Sequence, residues 1–367
     1  MFKNLLVYRL APEWQPDLGA VDQALQKTPF IECGATQPLS LGWVGPRGQP
    51  NSPLVEAVAG HWLMALMVEQ KVVPGSVVRR QVDALAERIE QETGRAPGKK
   101  QRRELKDQAL LDLLPMAFTK QAATRLWICP AERLLVVDAG SQTRADEALT
   151  ALAQGLPGFA AQLVNTALSP AAAMADWLVS GDAPSGFTID RDCELKAADG
   201  EKSAVRYARH PLDLDEIREH IRAGKQPTRL ALTWNDRVSF TLTDGLQLKK
   251  LAFLDGVFER QPGASKDDNF DTDLAISTGE LVPLIGDLLD ALGGEAVFGD
   301  AAHPAPTSTP VAAPVESPVG APPVVLPSNA TTDRAAGRGS AGKTAGDSAV
   351  KSKPKSQDLP PWEDEAA

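Results

Sequence analysis

Leu230-Ala231-Leu232-Thr233-Trp234-Asn235-Asp236-Arg237-Val238-Ser239-Phe240-Thr241-Leu242-Thr243-Asp244-Gly245 decides the fold class. Leu230, Leu232 and Trp234 alternate with Arg229, Ala231 and Thr233, and Val238, Phe240 and Leu242 repeat the alternation. A period of two places every second side chain on one face of a strand. Asn235-Asp236 turns the chain between the two runs, and Asp244-Gly245 is a second turn of the kind that two-residue hairpins require. The stretch therefore reads as an antiparallel meander with one apolar and one polar face, and Arg229 alternates outward from it.

Outward from the meander, Thr278 to Leu292 has helical spacing and ends at Gly293-Gly294. Toward the N terminus, Leu5 to Tyr8, Trp62 to Val68 and Leu134 to Val137 are short apolar runs that read as buried strands. Between the second and third, Val78, Val82, Leu85 and Ile89 follow helical spacing from Ser76 to Glu92, and Gly94 stops that helix. Gly94-Arg95-Ala96-Pro97-Gly98 is a turn, after which Leu105, Ala109 and Leu113 continue a second helical face. The pair predicts a helical hairpin projecting between strands. Hairpins mixed with helices and no repeat predict an α+β fold with mixed or antiparallel sheets, not a doubly wound parallel sheet. Three segments are expected: residues 1–165 with the arm at about 75–118, residues 166–298 with the meander, and a tail at 299–367.

The tail is set apart by composition. From Ala301 to Ala367, 37 of 67 residues are Pro, Ala, Gly or Ser, and Trp362 is the sole aromatic. Such a stretch buries too little apolar surface to offset its chain entropy, so it is expected to be disordered. It contains Gly337-Arg338-Gly339-Ser340-Ala341-Gly342-Lys343-Thr344, a full phosphate-loop pattern. That motif works only between a strand and a helix, and its flanks here are low-complexity, so the match is read as composition. Asn329-Ala330-Thr331 fits a glycosylation acceptor but lacks a secretion signal to give it meaning.

No catalytic signature emerges. The 367 residues include three cysteines, Cys33, Cys129 and Cys193, too far apart for a disulfide framework or a Cys-x-x-Cys metal site. His61, His210, His220 and His303 do not share a ligand spacing, and His61 reads as a satisfied structural residue ahead of a strand. No nucleophile elbow occurs, and no cysteine has a neighbouring histidine. No apolar run reaches the roughly 18 residues of a membrane-spanning helix, and the first nine residues lack a signal-peptide core. The expectation is a reduced, cytoplasmic, non-enzymatic protein without cofactor or metal.

Charge is unevenly placed. The total is −10, a balance that does not advertise nucleic acid. Yet Lys71 to Lys106 holds ten basic residues against five acids. Lys71, Arg79 and Arg80 lead into the arm, and Lys99, Lys100, Arg102 and Arg103 lie at its tip. One reading is a solvated helix face with pairs such as Arg79 with Asp83; the other is a phosphate-binding arm. A second cluster runs through Arg206, Arg209, His210, Arg218, Arg222, Lys225 and Arg229. Composition leaves the choice open.

Several motifs in one order then resemble the RdgC family of recombination-associated proteins: Phe2 to Leu10, Gly42-Trp43-Val44, Leu113 to Phe118, Glu219 to Lys225 running into Leu230 to Trp234, Gly279-Glu280-Leu281, and Ala291 to Ala296. The resemblance covers roughly residues 1–296. It implies a nucleoid-associated protein that binds single- and double-stranded DNA without sequence preference and antagonises the recombinase RecA. It further implies an α+β subunit pairing into a ring-shaped homodimer around duplex DNA. Phe118, followed by Lys120, matches the family's finger aromatic, Arg209 and His210 its gate, and Arg229 a further basic position. At the gate the chain has His210-Pro211 where an amide side chain would be expected. The sequence leaves two other functions open: a nucleotide-dependent enzyme using Lys343, and an adaptor recruiting proteins through the tail, whose Asp358 to Glu365 stretch resembles the acidic end of single-stranded-DNA-binding proteins.

Overall fold

The computed structural model describes residues 2–296, apart from 16, 50–51, 198–202, 214 and 259–265. The expected tail, with its phosphate-loop and glycosylation matches, lies outside the described residues. In chain order the elements are β1 (Leu5–Leu10), α1 (Leu18–Leu25), β2 (Leu39–Val44), β3 (Val55–Val58), β4 (His61–Val72), α2 (Gly75–Thr93), α3 (Lys99–Leu113), β5 (Phe118–Cys129), β6 (Leu134–Asp138) and α4 (Gln142–Gly155). Then follow β7 (Ala161–Leu163), α5 (Pro170–Ser180), β8 (Phe187–Ala197), β9 (Ala204–Tyr207), α6 (Asp215–Arg222), β10 (Lys225–Trp234), β11 (Val238–Thr243), β12 (Leu248–Phe253) and α7 (Lys266–Ala291).

The strands form one sheet of twelve in the order β2-β4-β5-β6-β1-β12-β11-β10-β8-β9, with β3 on β4 and β7 on β1. Every pair of these strands is antiparallel, the second of the two arrangements, mixed or antiparallel, expected of the α+β fold. Residue 165 falls between β7 and α5, and the sheet crosses that point through the pairing of Leu5 in β1 with Leu248 in β12. Antiparallel pairing suits a sheet with a helix layer on only part of each face.

The two faces have separate cores. Leu5 and Val7 turn to one face, where they join Trp127, Leu230, Leu232, Phe240 and Leu242 under α5 and α7. Leu6 and Tyr8 turn to the other, with Leu126, Ile128, Leu135 and Val137 under α1 and α4. This second layer covers the β1–β6 half, so the same face of β8–β12 carries polar side chains without that cover. Trp234 joins the first core by donating its indole N–H to Asp287 of α7 at 2.8 Å. At the far edge, residues 28–30 lie over β2, where a Cβ on Gly42 would stand 2.4 Å from Phe30 Cα, so glycine alone fits.

α2 and α3 form the expected hairpin. Gly94 takes φ 70° and ends α2 as a left-handed cap, the conformation that glycine adopts without strain. Val78, Val82 and Ala109 are the buried centre between the helices, with Leu85 and Leu105 partly buried around them. Asp83 pairs across the hairpin with Arg102 at 3.8 Å, correcting the within-helix pair with Arg79.

Other expectations also change. Asn235 and Asp236 have positive φ (46° and 53°), as a two-residue primed turn needs. Asp244-Gly245 does not form such a turn. The left-handed residue is Leu246 (φ 55°), and Thr243 and Gln247 close a three-residue loop. The final helix starts at Lys266 rather than Thr278 and continues through Pro283. His61 packs edge-on to Trp127 at 5.5 Å, but its buried Nδ1 has no hydrogen-bond partner, so it is not satisfied. Burial lowers its pKa, which favours the neutral imidazole.

Candidate nucleic-acid interface

The arm tip is built by α3. Gly98 caps that helix without a side-chain hydrogen bond, and no acidic residue occupies the first turn. Lys99, Lys100, Arg102 and Arg103 occupy this start instead, all exposed. A helix N-terminus carries partial positive charge and is ordinarily stabilised by acids, each by roughly 0.3–1 kcal/mol. Four cations there add to the field of the dipole. The arrangement is unfavourable for the isolated helix and favourable for an approaching anion. Arg79 and Arg80 are exposed on α2.

At the arm's foot, α3 runs through a short turn (Leu114–Met116) into β5. Here Met116 is 76% exposed and Phe118 88% exposed. Val72, paired opposite Phe118, is also 46% exposed, and a contiguous exposed apolar patch, unlike a single exposed residue, marks an interaction surface. Phe118 stands at the start of β5, opposite Val72 of β4, so it sits at the base of the hairpin. Lys120 follows two residues later and is exposed in a groove with Gln70, Arg144 and Glu147. Lys71 is different: its ammonium donates to Ala35 O at 2.6 Å and Leu114 O at 3.0 Å, tying the arm's foot to the 33–37 loop. The same loop is held from below by Glu69, a buried carboxylate that accepts the Cys33 N–H and the Gln121 side-chain amide. Those hydrogen bonds, the Cys33 N–H foremost, keep Glu69 below the usual carboxylate range.

The second cationic cluster is divided by the sheet. Between Pro227 and Arg229 the β8–β10 register shifts, so Thr228 and Arg229 both stand against Glu194. A bulge of this kind reverses which face the following side chains take. Lys225 therefore sits on the helix-covered side, with Nζ 3.0 Å from His220 Nδ1 of α6. Arg229 turns to the open face, 3.6 Å from Glu194. After β9, Arg209 takes φ 54° and donates its N–H to Asp192 Oδ1 at 2.7 Å. His210 donates its N–H to Arg191 O, and its exposed ring lies 6.2 Å from the Tyr207 ring.

These residues do not form one patch. β5 and β10 are five strand spacings apart in the sheet order, roughly 24 Å at about 4.8 Å per spacing. The fold brings together Lys99, Lys100, Arg102 and Arg103; separately Phe118 with Lys120; and separately Arg209, His210 and Arg229. Sequence reasoning passed over Lys249 and Lys250, which line one cavity with Arg206 and Arg229. Their only signal was adjacency after the second turn. Among the described residues no three His, Cys, Asp or Glu side chains gather to hold a metal ion, and no helix is long and apolar enough to cross a membrane.

A family model described as "Putative exonuclease, RdgC" matches residues 1–295. A protein of Dechloromonas aromatica named recombination-associated protein RdgC is 47% identical over 301 residues, 81% of this chain and 98% of that protein. Proteins of the same name from Cupriavidus pinatubonensis and Bordetella parapertussis are 43% and 40% identical, each over 296 residues, 80% of this chain and 98% of theirs.

Proposed function

The chain belongs to the RdgC family of recombination-associated proteins, and from that membership we propose that it binds DNA through phosphate contacts without reading sequence. In this reading it acts in recombination as a non-catalytic ring-shaped homodimer around duplex DNA, also binds single strands, associates with the nucleoid in the cytoplasm and restrains RecA. The observation that carries the proposal is the arm tip, where Lys99, Lys100, Arg102 and Arg103 surround a helix N-terminus that holds no acid. Lys and Arg at phosphates release counterions whatever the base sequence, so an acidic protein can bind DNA through locally basic surfaces. The exposed Phe118 and Met116 supply an apolar surface that a second subunit or an unstacked base could cover. Lys71, Arg79, Arg80, Lys120, Arg209, His210, Lys225 and Arg229 complete the proposed contact set, with Lys71 acting through the arm's foot and Lys225 from the helix-covered side through His220.

Gel shifts with two unrelated duplexes across a salt series test the reading. We expect equal affinities for the two sequences and a log–log slope of about −4 to −7, the mark of roughly four to eight neutralised phosphates. Arg209→Ala should flatten the slope equally for both. A slope near zero, or strong preference for one duplex, overturns sequence-independent phosphate binding. Light scattering at micromolar concentration should return a dimer, and a monomer contradicts the ring. Magnesium-dependent shortening of end-labelled strands would overturn the non-catalytic part of the reading.

A further inference from the structure

The open face of β8–β12 holds a cavity of about 170 Å³. That is smaller than the roughly 300–1,000 Å³ of sites that enclose whole cofactors, and suits a single small anion. Arg206, Arg229, Lys249 and Lys250 line it against Asp192 and Glu194. Both carboxylates are engaged: Asp192 by the Arg209 N–H, and Glu194 by Lys196 at 2.9 Å and Arg229 at 3.6 Å. Among the described residues, Arg206, Lys249 and Lys250 form no ion pair.

The backbone places these cations by an irregularity. β12 has one residue more than β11 between the pairs Ser239 with Ala252 and Thr241 with Lys249. Lys250 takes φ 54° there, a left-handed conformation usually given to glycine at a bulge. It is pinned by its N–H to Asn4 Oδ1 at 3.4 Å and by the Leu251 N–H to Lys3 O at 2.9 Å. Neighbouring residues of a regular strand point to opposite faces. The bulge lets Lys249 and Lys250 line the same cavity, with a lysine in a strained conformation where glycine would cost nothing. Strain of this kind is characteristic of binding sites.

We propose that this cavity seats a phosphate group of the DNA backbone, with Arg206, Lys249 and Lys250 as its ligands and Arg229 shared between that phosphate and Glu194. The Arg206 guanidinium offers a planar fork to two phosphate oxygens, and the two ammonium groups act as point charges on the others. The assignment rests on the DNA-binding reading above and adds a specific seat to it.

The test uses the full chain, as wild type, as Arg206→Ala, Lys249→Ala and Lys250→Gly singly, and as all three combined, with Lys27→Ala as a distant exposed-cation control. Duplex binding is followed across a salt series, and thermal melting is recorded for every variant. Each single change should weaken binding at low salt at least about threefold, and the triple should flatten the slope by about 0.9 for each subunit engaged. Lys250→Gly should weaken binding while melting at or above the wild-type temperature, since glycine relieves the left-handed strain. Lys27→Ala should change neither. Inorganic phosphate, compared with chloride at equal ionic strength, should compete with DNA in the wild type and lose that advantage in the triple variant. Wild-type affinity and slope in the triple variant overturn the seat while leaving the DNA-binding reading intact. Absence of any wild-type binding overturns that reading and the seat together. Calorimetric uptake of inorganic phosphate that the triple change abolishes, with DNA binding unaffected, would assign the cavity to a free small phosphate and overturn the DNA seat.

Discussion

The arm carries its cations on two helices that pack mainly against each other, with Val78, Val82 and Ala109 as their buried centre. Arg206, Arg229 and Lys249 instead stand on strands whose reverse face belongs to the largest core of the protein, together with α5 and α7. In the arm, position follows from local rules: helical period, a glycine stop and a turn. On the sheet, position follows from pairings between residues far apart in the chain and from two bulges. The arm's charges are thus set cheaply and loosely, and those of the sheet rigidly and at some cost in backbone strain. Regions with few buried apolar contacts open more readily than the core they project from.

Stability should separate the two regions most. Trp127 is fully buried in the sheet core, so Trp127→Ala should cost about 3–5 kcal/mol by chemical denaturation. Val82→Ala removes two methyl groups from the arm and should cost about 1–2 kcal/mol, with faster hydrogen exchange confined to α2 and α3. Equal losses for the two would mean that the arm is not an independent small core. For DNA affinity the order reverses. Changing Lys99, Lys100, Arg102 and Arg103 together to Ala should remove most of the expected salt slope, whereas Arg229→Ala, which leaves Arg206, Lys249 and Lys250 at the same phosphate, should weaken binding with little change of slope. A larger effect from Arg229 would place the main phosphate track on the sheet.

Phe118 sharpens the comparison at the arm's foot. Since it is 88% exposed, Phe118→Ser should shift stability by less than about 0.5 kcal/mol, the range of surface changes, while weakening assembly or DNA binding. A fall in melting temperature typical of a core deletion would show that the ring is covered in the folded protein. Glu194 offers a pH handle on the sheet. The Lys196 ammonium first, then Thr228 and Arg229, hold its carboxyl below the usual range. A lowered folded-state pKa gives stability that is fully present above the unfolded value and is lost as pH falls through the folded one. Glu194→Gln should therefore remove part of the stability loss seen below about pH 4, and at neutral pH should tighten DNA binding by relieving the cavity of one negative charge. Weaker binding by this variant would show that Glu194 positions Arg229 more than it competes with phosphate. The smallest effect concerns the thiols. Burial pushes Cys193 up to about 12, so an alkylating reagent at pH 8 should leave it unmodified until the chain unfolds.

Much of this was legible in local pattern. Alternation over Leu230–Leu242 foretold β10 and β11, helical spacing and Gly94 foretold the arm, and density of charge marked its tip. Those features depend on residues within a few positions of each other, and period and turn chemistry act at that range. The Asp244-Gly245 turn was misjudged because Leu246, with no glycine to advertise it, takes the left-handed position. The start of α7 was missed because its first turns are polar, and this part of the helix is held by a residue far away in the chain, Arg47, which pairs with Asp271.

The order of strands had no such local signal. β1 lies between β6 and β12, so the first strand of the chain joins partners beginning at residues 134 and 248, and only the packing of both faces of Leu5–Leu10 selects that place. Which cations share a surface was settled in the same way. Lys225 and Arg229 are an even number of residues apart and would share a face in a regular strand, yet a bulge sends one to α6 and the other to solvent. Lys249 and Lys250 would be separated in a regular strand, yet another bulge unites them. A chain can specify its period in a dozen residues, but a bulge exists only relative to a partner strand, so the face a charge takes is fixed by the assembled sheet.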